Sequence, residues 1–230
     1  CLQKNQLGTG DAVKTAIKNF KSQSKYTLIL YADTPFVAKR TIKQMISKAN
    51  KGAEFVFLGF QTQTKNSYGK FKTAPKATLI DIIEKNERGY SSLNSLSNSG
   101  ILLARSDAIA DIIQKIKNDN AKQEYYLTDI VKIAAASGLS STFVQCEEDE
   151  CLGVNSQLEL SVAERNFQDH FRKKLMASGV SMASPDTCFF SYDTKIKSGC
   201  VIEPNVVFGT GVKIQSSTII KSYSYIEATH

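Results

Sequence analysis

Asp33 stands three residues beyond the apolar run Leu28-Ile29-Leu30, within Tyr31-Ala32-Asp33-Thr34-Pro35. That places a carboxylate at the carboxyl end of a strand, where it can face a cleft and hold Mg2+. The same Asp could instead cap the helix that follows. The opening run Gln3-Lys4-Asn5-Gln6-Leu7-Gly8-Thr9-Gly10 is a polar, glycine-containing turn ahead of a helix. Such a turn suits the reading of a nucleobase through backbone groups and a glutamine amide. Groups able to grip a sugar come from Ser67-Tyr68-Gly69-Lys70, Glu84, Asn98-Ser99-Gly100 and Glu124-Tyr125-Tyr126-Leu127-Thr128. Taken singly, each serves as well as a turn or a cap. Other chemistries have little material. His170 and His230 are the only histidines, a poor basis for a Ser-His-Asp triad or a His-centred zinc site. Cys1, Cys146, Cys151, Cys188 and Cys200 lack metal-site spacing, so buried free thiols are expected.

These groups need a frame, and the patterning supplies one. Residues 10–20 and 37–49 read as helices, with a buried strand at 26–31 between them. Residues 54–60, 77–83 and 100–105 read as strands, 107–116 and 128–137 as helices, and 141–145 as a short strand. This order predicts an α/β domain with a mainly parallel sheet covered on both faces, and ligands at the carboxyl ends of its strands. A long helix follows between Gly153 and Gly179, with Asn155 as its N-cap and Gly179 just past its basic end. Leu160, Ala163, Phe167, Phe171 and Leu175 give it one apolar face, as expected of a connector between two domains.

Beyond a Ser184-Pro185-Asp186-Thr187 turn, large apolar residues recur every six positions: Ile196, Ile202, Phe208, Ile214, Ile220 and Ile226. Cys200, Val206, Val212, Thr218 and Ser224 precede all but the first by two places. A period of six fits neither a helix nor a plain strand, but it fits a triangular parallel β-helix whose hexads form the sides. With hexads still running at His230, the segment reads as the start of a longer solenoid. Cys1 in place of Met, inside a motif, reads as a cut N-terminus.

A 42% apolar and 22% charged composition is ordinary for a soluble globular protein. The longest apolar runs are too short for a bilayer and no signal peptide opens the chain, so a cytoplasmic location without membrane contact is expected. The formal charge of +7 comes from lysines scattered among Ser, Asn and Gln. This is the pattern of a solvated surface and not of a nucleic-acid patch.

Read together, the motifs become specific. Gln6-Leu7-Gly8-Thr9-Gly10-Asp11-Ala12-Val13, Tyr31-Ala32-Asp33-Thr34-Pro35, Asn98-Ser99-Gly100-Ile101, Asn120-Ala121 with residues 124–129, Gly153-Val154-Asn155 and Ile202-Glu203-Pro204-Asn205-Val206 occur in one order. In that order they resemble the bifunctional GlmU family, N-acetylglucosamine-1-phosphate uridylyltransferase/glucosamine-1-phosphate acetyltransferase. The resemblance covers essentially the whole chain. It implies a Rossmann-like nucleotidyltransferase domain (1–154), a linker helix and connector (155–195), and the first hexapeptide repeats of a left-handed parallel β-helix (196–230). It also implies uridylyl transfer from UTP to N-acetylglucosamine 1-phosphate, giving UDP-N-acetylglucosamine and pyrophosphate for cell-wall precursors.

Position by position, the resemblance puts Gln3, Gln6, Gly8 and Thr9 at the uracil, and Tyr31 and Asp33 beside the phosphates. Gly69, Glu84, Asn98, Tyr126 and Thr128 would hold the sugar, and Asp33 with Asn155 would coordinate Mg2+. A homotrimer assembled through the β-helix is implied as well. The sequence departs from the family in lacking its glycine-rich loop, Leu-Ala-Ala-Gly-x-Gly-Thr-Arg-Met with a following lysine, which wraps the triphosphate. The residues expected for the acetyltransferase site are missing too. These 230 residues alone are therefore expected to be inactive. Lys70 in place of the family's usual Arg, and Asn86 after Glu84, are minor departures. A non-catalytic binding or trimer-assembly module, and a pyrophosphorylase for another sugar phosphate, are the competing readings.

Overall fold

The computed structural model describes residues 1–20, 23–62, 67–85, 96–120 and 122–229; Asn86, Ala121 and His230 lie outside the described residues. The chain divides into two units, Cys1–Gly153 and Val154–His230.

In the first unit the order is α1 (Thr9–Asn19), β1 (Tyr26–Ile29), α2 (Lys39–Asn50), β2 (Phe55–Gln61), β3 (Lys70–Ala74), β4 (Thr78–Ile83), β5 (Leu96–Arg105), α3 (Ser106–Ile112), α4 (Ile130–Ala136) and β6 (Ser141–Cys146). The helices and strands expected from patterning all form, while β3 has no counterpart in the sequence reading. Along β2 every residue from Phe55 to Phe60 except Gly59 presents a buried apolar side chain, and the pleat sends them alternately to opposite faces. Phe55 and Phe57 join Ile109, Ile112, Ile130 and Val131 of α3 and α4, whereas Val56, Leu58 and Phe60 join Met45 and Ala49 of α2. Both faces of the sheet are thus covered.

The strand order is β1-β5-β2-β6-β4-β3, and β3 also touches β5 through Lys70↔Ser97, so five strands close into a ring. The expectation of a mainly parallel sheet is corrected here. Among the described residues of this sheet only β2 and β6 pair in parallel; the other five pairings are antiparallel. β1, β2 and β6 do share one direction, but β5 lies antiparallel between β1 and β2. The physical reason is that burial patterning reports which faces are covered and carries no information on direction.

The second unit opens with α5 (Gln157–Ala177). Its N-cap is Ser156 and not Asn155: the Ser156 hydroxyl accepts the Glu159 N–H at 3.2 Å, and the Glu159 carboxylate accepts the Asn155 N–H at 2.6 Å. Ser156 and Glu159 have the spacing that lets each close a backbone donor at the helix start, so Asn155 gives its backbone and not its carboxamide. At the other end Gly179, at φ +93, lets Val180 N–H reach the Leu175 carbonyl at 3.1 Å, which closes the helix as expected.

Eight two-residue strands follow: β7 (Ser181–Met182), β8 (Phe189–Phe190), β9 (Lys195–Ile196), β10 (Val201–Ile202), β11 (Val207–Phe208), β12 (Lys213–Ile214), β13 (Ile219–Ile220) and β14 (Tyr225–Ile226). They stack in three parallel sheets, β7-β10-β13, β8-β11-β14 and β9-β12. Partners such as Val207↔Tyr225 lie three hexads apart. Ile202, Phe208, Ile214 and Ile220 are buried, Ile196 and Ile226 partly so, and Cys200, Val206 and Val212 fill the space beside them. Gln168 of α5 accepts from and donates to the Phe190 backbone at 2.9 and 2.8 Å, while Phe171, Phe190 and Phe208 stack at 5.4 and 4.9 Å. Among the described residues no helix is long and apolar enough to cross a membrane.

From β9 onward each corner between successive strands carries one residue of left-handed backbone. Gly199, Asn205, Gly211, Ser217 and Tyr223 all take positive φ, one residue per hexad. Tyr223 is 83% exposed and sits at φ +64, a conformation that glycine adopts without strain. Tyr223→Gly removes little packing, so it should raise the thermal midpoint in calorimetry, by up to about 1 kcal/mol of stability.

Candidate functional site

Two motifs far apart in sequence are joined by backbone at the start of α1. Tyr125 N–H donates to the Leu7 carbonyl at 2.8 Å and Gly10 N–H to the Tyr125 carbonyl at 2.8 Å. Leu127 N–H adds a bond to the Thr9 hydroxyl at 3.3 Å. Gly8 makes this approach possible: at φ +104, a Cβ there would lie 2.7 Å from the Tyr125 carbonyl oxygen. Gln3 braces the turn by donating to the Asp11 carboxylate at 2.6 Å, and Gln6 is exposed.

Tyr31 and Asp33 follow β1. Thr34 N–H and hydroxyl both return to the Tyr31 carbonyl, at 3.2 and 3.0 Å, which turns the chain and leaves Asp33 exposed. The N-cap of α2 is Ala38, so Asp33 is not a helix cap. Beside this turn runs β5, where Gly100 at φ +83 faces Tyr31: a Cβ at position 100 would lie 2.0 Å from the tyrosine ring. Asn98 fixes the same stretch, its Oδ1 accepting Gly100 N–H at 3.0 Å and its own N–H meeting the Gly69 carbonyl at 2.7 Å. A side chain at Gly69 would begin 3.2 Å from the Glu84 carboxylate, and that carboxylate accepts the Thr128 hydroxyl at 3.0 Å. Tyr126, half-buried, introduces the single turn Leu127–Asp129 that presents Thr128.

Burial, foremost, pushes the Tyr31 phenol above its ordinary pKa; a hydrogen bond with Thr9 opposes this, and the charges of Asp33 and Glu84 add to it. Tyr31 therefore links the groups: Thr9 bonds its phenol, the charges of Asp33 and Glu84 reach it, and Gly100 lies against its ring. The structure thus gathers Thr9, Tyr31, Asp33, Gly69, Glu84, Asn98 and Thr128 in the first unit, while Asn155 belongs to the second.

Residues 1–149 match the nucleotidyl transferase family. The chain belongs to that family. It is 36% identical over 229 residues to the bifunctional protein GlmU of Azorhizobium caulinodans, covering 100% of this chain and 51% of that protein. It is 41% identical over 213 residues to the bifunctional protein GlmU of a Wolbachia from Brugia malayi, covering 92% and 52%. The kinship with GlmU expected from the motifs is borne out, and the chain spans about half the length of these relatives. A solved structure of CMP:2-keto-3-deoxy-manno-octonic acid synthetase complexed with CTP shares the fold, with a TM-score of 0.52 at 10% identity over 73% of this chain and 70% of that one.

In this nucleotidyl transferase Glu150 escaped the sequence reading, and Lys70 entered it only within a run of groups able to grip a sugar. Lys70 is 3% exposed and donates to the Ser97 hydroxyl at 2.7 Å, tying β3 to β5 next to Asn98. Burial pushes its pKa down. Glu150 is 7% exposed and accepts from Ala38 N–H at 3.0 Å, from Arg40 at 3.1 Å and from the Thr41 hydroxyl. It holds the start of α2, and with it the end of the Asp33 loop, from a turn distant in sequence. No periodicity signals either contact.

Two predictions follow from these contacts. Gly100→Ala should destabilise the protein by about 2 kcal/mol or more in urea unfolding, from the strained φ and the clash with Tyr31. Adding Tyr31→Ala should return part of that loss. Burial works to raise the Glu150 pKa, but the hydrogen bonds from Thr41, Ala38 and Arg40 outweigh it and hold the carboxyl below its ordinary value. Its stabilisation is accordingly complete above the ordinary carboxylate range and is lost as pH falls through the depressed value. Glu150→Gln should cost about 1–3 kcal/mol at neutral pH and flatten the acid limb of the stability profile.

Proposed function

We propose that this chain carries the uridylyltransferase site of a GlmU-type enzyme, with UTP and N-acetylglucosamine 1-phosphate as substrates and UDP-N-acetylglucosamine and pyrophosphate as products. The observation that carries the reading is the chain of contacts that joins the 7–10 turn to the 124–128 run, Thr128 to Glu84, and Tyr31 to Gly100 beside Asn98. In this reading Gln3, Gln6, Gly8 and Thr9 meet the uracil, and Tyr31 and Asp33 flank the phosphates. Gly69, Glu84, Asn98, Tyr126 and Thr128 hold the sugar.

The sugar-phosphate oxygen is already an anion, so no general base is needed for its attack on the α-phosphorus as pyrophosphate departs. What this chain's residues supply is alignment of two mutually repelling phosphates. Asp33 offers an exposed carboxylate and Asn155 an exposed carboxamide, hard oxygen donors of the kind Mg2+ takes. These two residues would hold the ion, with Asn155 assigned by resemblance. Bound there, Mg2+ would offset negative charge on the phosphates. The same resemblance supports a left-handed β-helix for the stacked coils, a homotrimer and a cytoplasmic location.

The test is pyrophosphate release from UTP and N-acetylglucosamine 1-phosphate with Mg2+, using the 230 residues alone and the same residues joined to a relative's glycine-rich segment. The joined protein should turn over, and the 230 residues should be at least about 100-fold slower for want of the loop's phosphate donors. Asp33→Asn in the joined protein should cost a comparable factor. A folded joined protein without turnover, or one indifferent to Asp33, would overturn the proposal.

A further inference from the structure

Cys146 ends β6, and Cys151 closes the single helical turn Glu148–Cys151 that follows. Their sulfurs lie 3.3 Å apart, and both are free thiols. Cys146 is half-buried and Cys151 is 3% exposed. The other cysteines are placed differently: Cys188 and Cys200 have no exposure in the second unit, and Cys1 is exposed at the chain start. A disulfide needs its sulfurs at about 2.05 Å. The two residues are five apart in the chain, either side of one turn, so the remaining gap is a local one.

We propose that Cys146 and Cys151 form a reversible intramolecular disulfide when the protein meets a peroxide. The half-buried Cys146 is the thiol that solvent can reach. Its thiolate attacks one peroxide oxygen, the O–O bond breaks, and a sulfenic acid forms while the other oxygen leaves as hydroxide and takes a proton to become water. The Cys151 sulfur then displaces the sulfenic hydroxyl as a second water. Two thiols give up two electrons and two protons, hydrogen peroxide is reduced to two waters, and a dithiol reductant reverses the bond. The hydrogen bond with Cys151, then burial and the nearby Glu150 and Glu147 carboxylates, push the Cys146 thiol well above its ordinary pKa. Oxidation by dilute peroxide is correspondingly slow, as suits a bond made under sustained oxidative conditions.

The disulfide has a defined structural consequence. Glu150, the neighbour of Cys151, accepts from Ala38, Arg40 and Thr41 at the start of α2. Fastening Cys151 to the end of β6 clamps that turn, and through Glu150 it clamps the end of the Asp33 loop. This site is independent of which sugar nucleotide the cleft takes.

The experiment uses the full chain with Cys1→Ser, which removes the exposed thiol. The protein is treated with hydrogen peroxide, alkylated unfolded, digested and read by mass spectrometry. A mass about 2 Da lower before alkylation, one linked peptide pair joining Cys146 to Cys151, and recovery with dithiothreitol are expected. The oxidised protein should also melt higher than the reduced one and show slower exchange at the Ala38 amide. In a Cys151→Ser variant, Cys146 should advance to sulfinic acid and the melting shift should vanish. Free alkylation of both thiols after prolonged peroxide, or preferential cross-linking to Cys188 or Cys200, would overturn the disulfide. A linked pair with an unchanged or lowered melting point would overturn the clamp.

Discussion

The contact on which the candidate site depends is the packing of the Tyr31 ring into the space left by the missing side chain of Gly100. β1 ends at Ile29, paired with Leu102 of β5, so the two residues meet just past the last paired position. A ring there is half-buried, stays neutral at ordinary pH, bonds Thr9 through its hydroxyl and feels the charges of Asp33 and Glu84. Without the glycine the loop bearing Asp33 could not lie against the strand bearing Asn98. The loop that follows the ring is also held at its far end, because Glu150 fixes the start of α2.

That contact exists only because β5 is antiparallel between β1 and β2, which brings the beginning of β5 to the edge where β1 ends. The sequence shows both strands plainly: 26–31 and 100–105 are apolar runs of the right length. It does not show their relative direction, since a strand covered on both faces carries the same apolar signal either way. The parallel sheet predicted from the alternation of helices and strands failed for this reason. β3 was invisible for another. Lys70-Phe71-Lys72-Thr73-Ala74 has one large apolar residue, and its place is fixed by Phe71 packing near Phe57 and Phe143 in the closed ring.

The second unit was far more legible, because its rule is local. A side chain every six residues must point inward, and Ile202, Phe208, Ile214 and Ile220 do so. The corners were not foreseen: two are glycines and Asn205 is of a type given to this backbone, but Ser217 and Tyr223 take it without a residue type that announces it. The N-cap moved by one residue for a related reason. Asn155 and Ser156 are both good caps, and the spacing of Ser156 to Glu159 decides between them. Of the site itself, the groups could be named from sequence and their convergence could not, except through the family resemblance. Lys70 and Cys146 show the limit, because burial of a lysine and a sulfur-to-sulfur approach leave no mark in periodicity.

On the proposed function, the groups around Tyr31 recognise a sugar nucleotide through Glu84, Asn98 and the 7–10 turn. Calorimetric titration of the 230-residue protein with UDP-N-acetylglucosamine, with and without Glu84→Ala, tests it most directly. The account predicts saturable one-site binding that Glu84→Ala weakens about 10-fold or more, through loss of an acceptor poised beside Gly69 and Thr128. Absence of binding by the folded protein, or binding of equal strength in the variant, would contradict it.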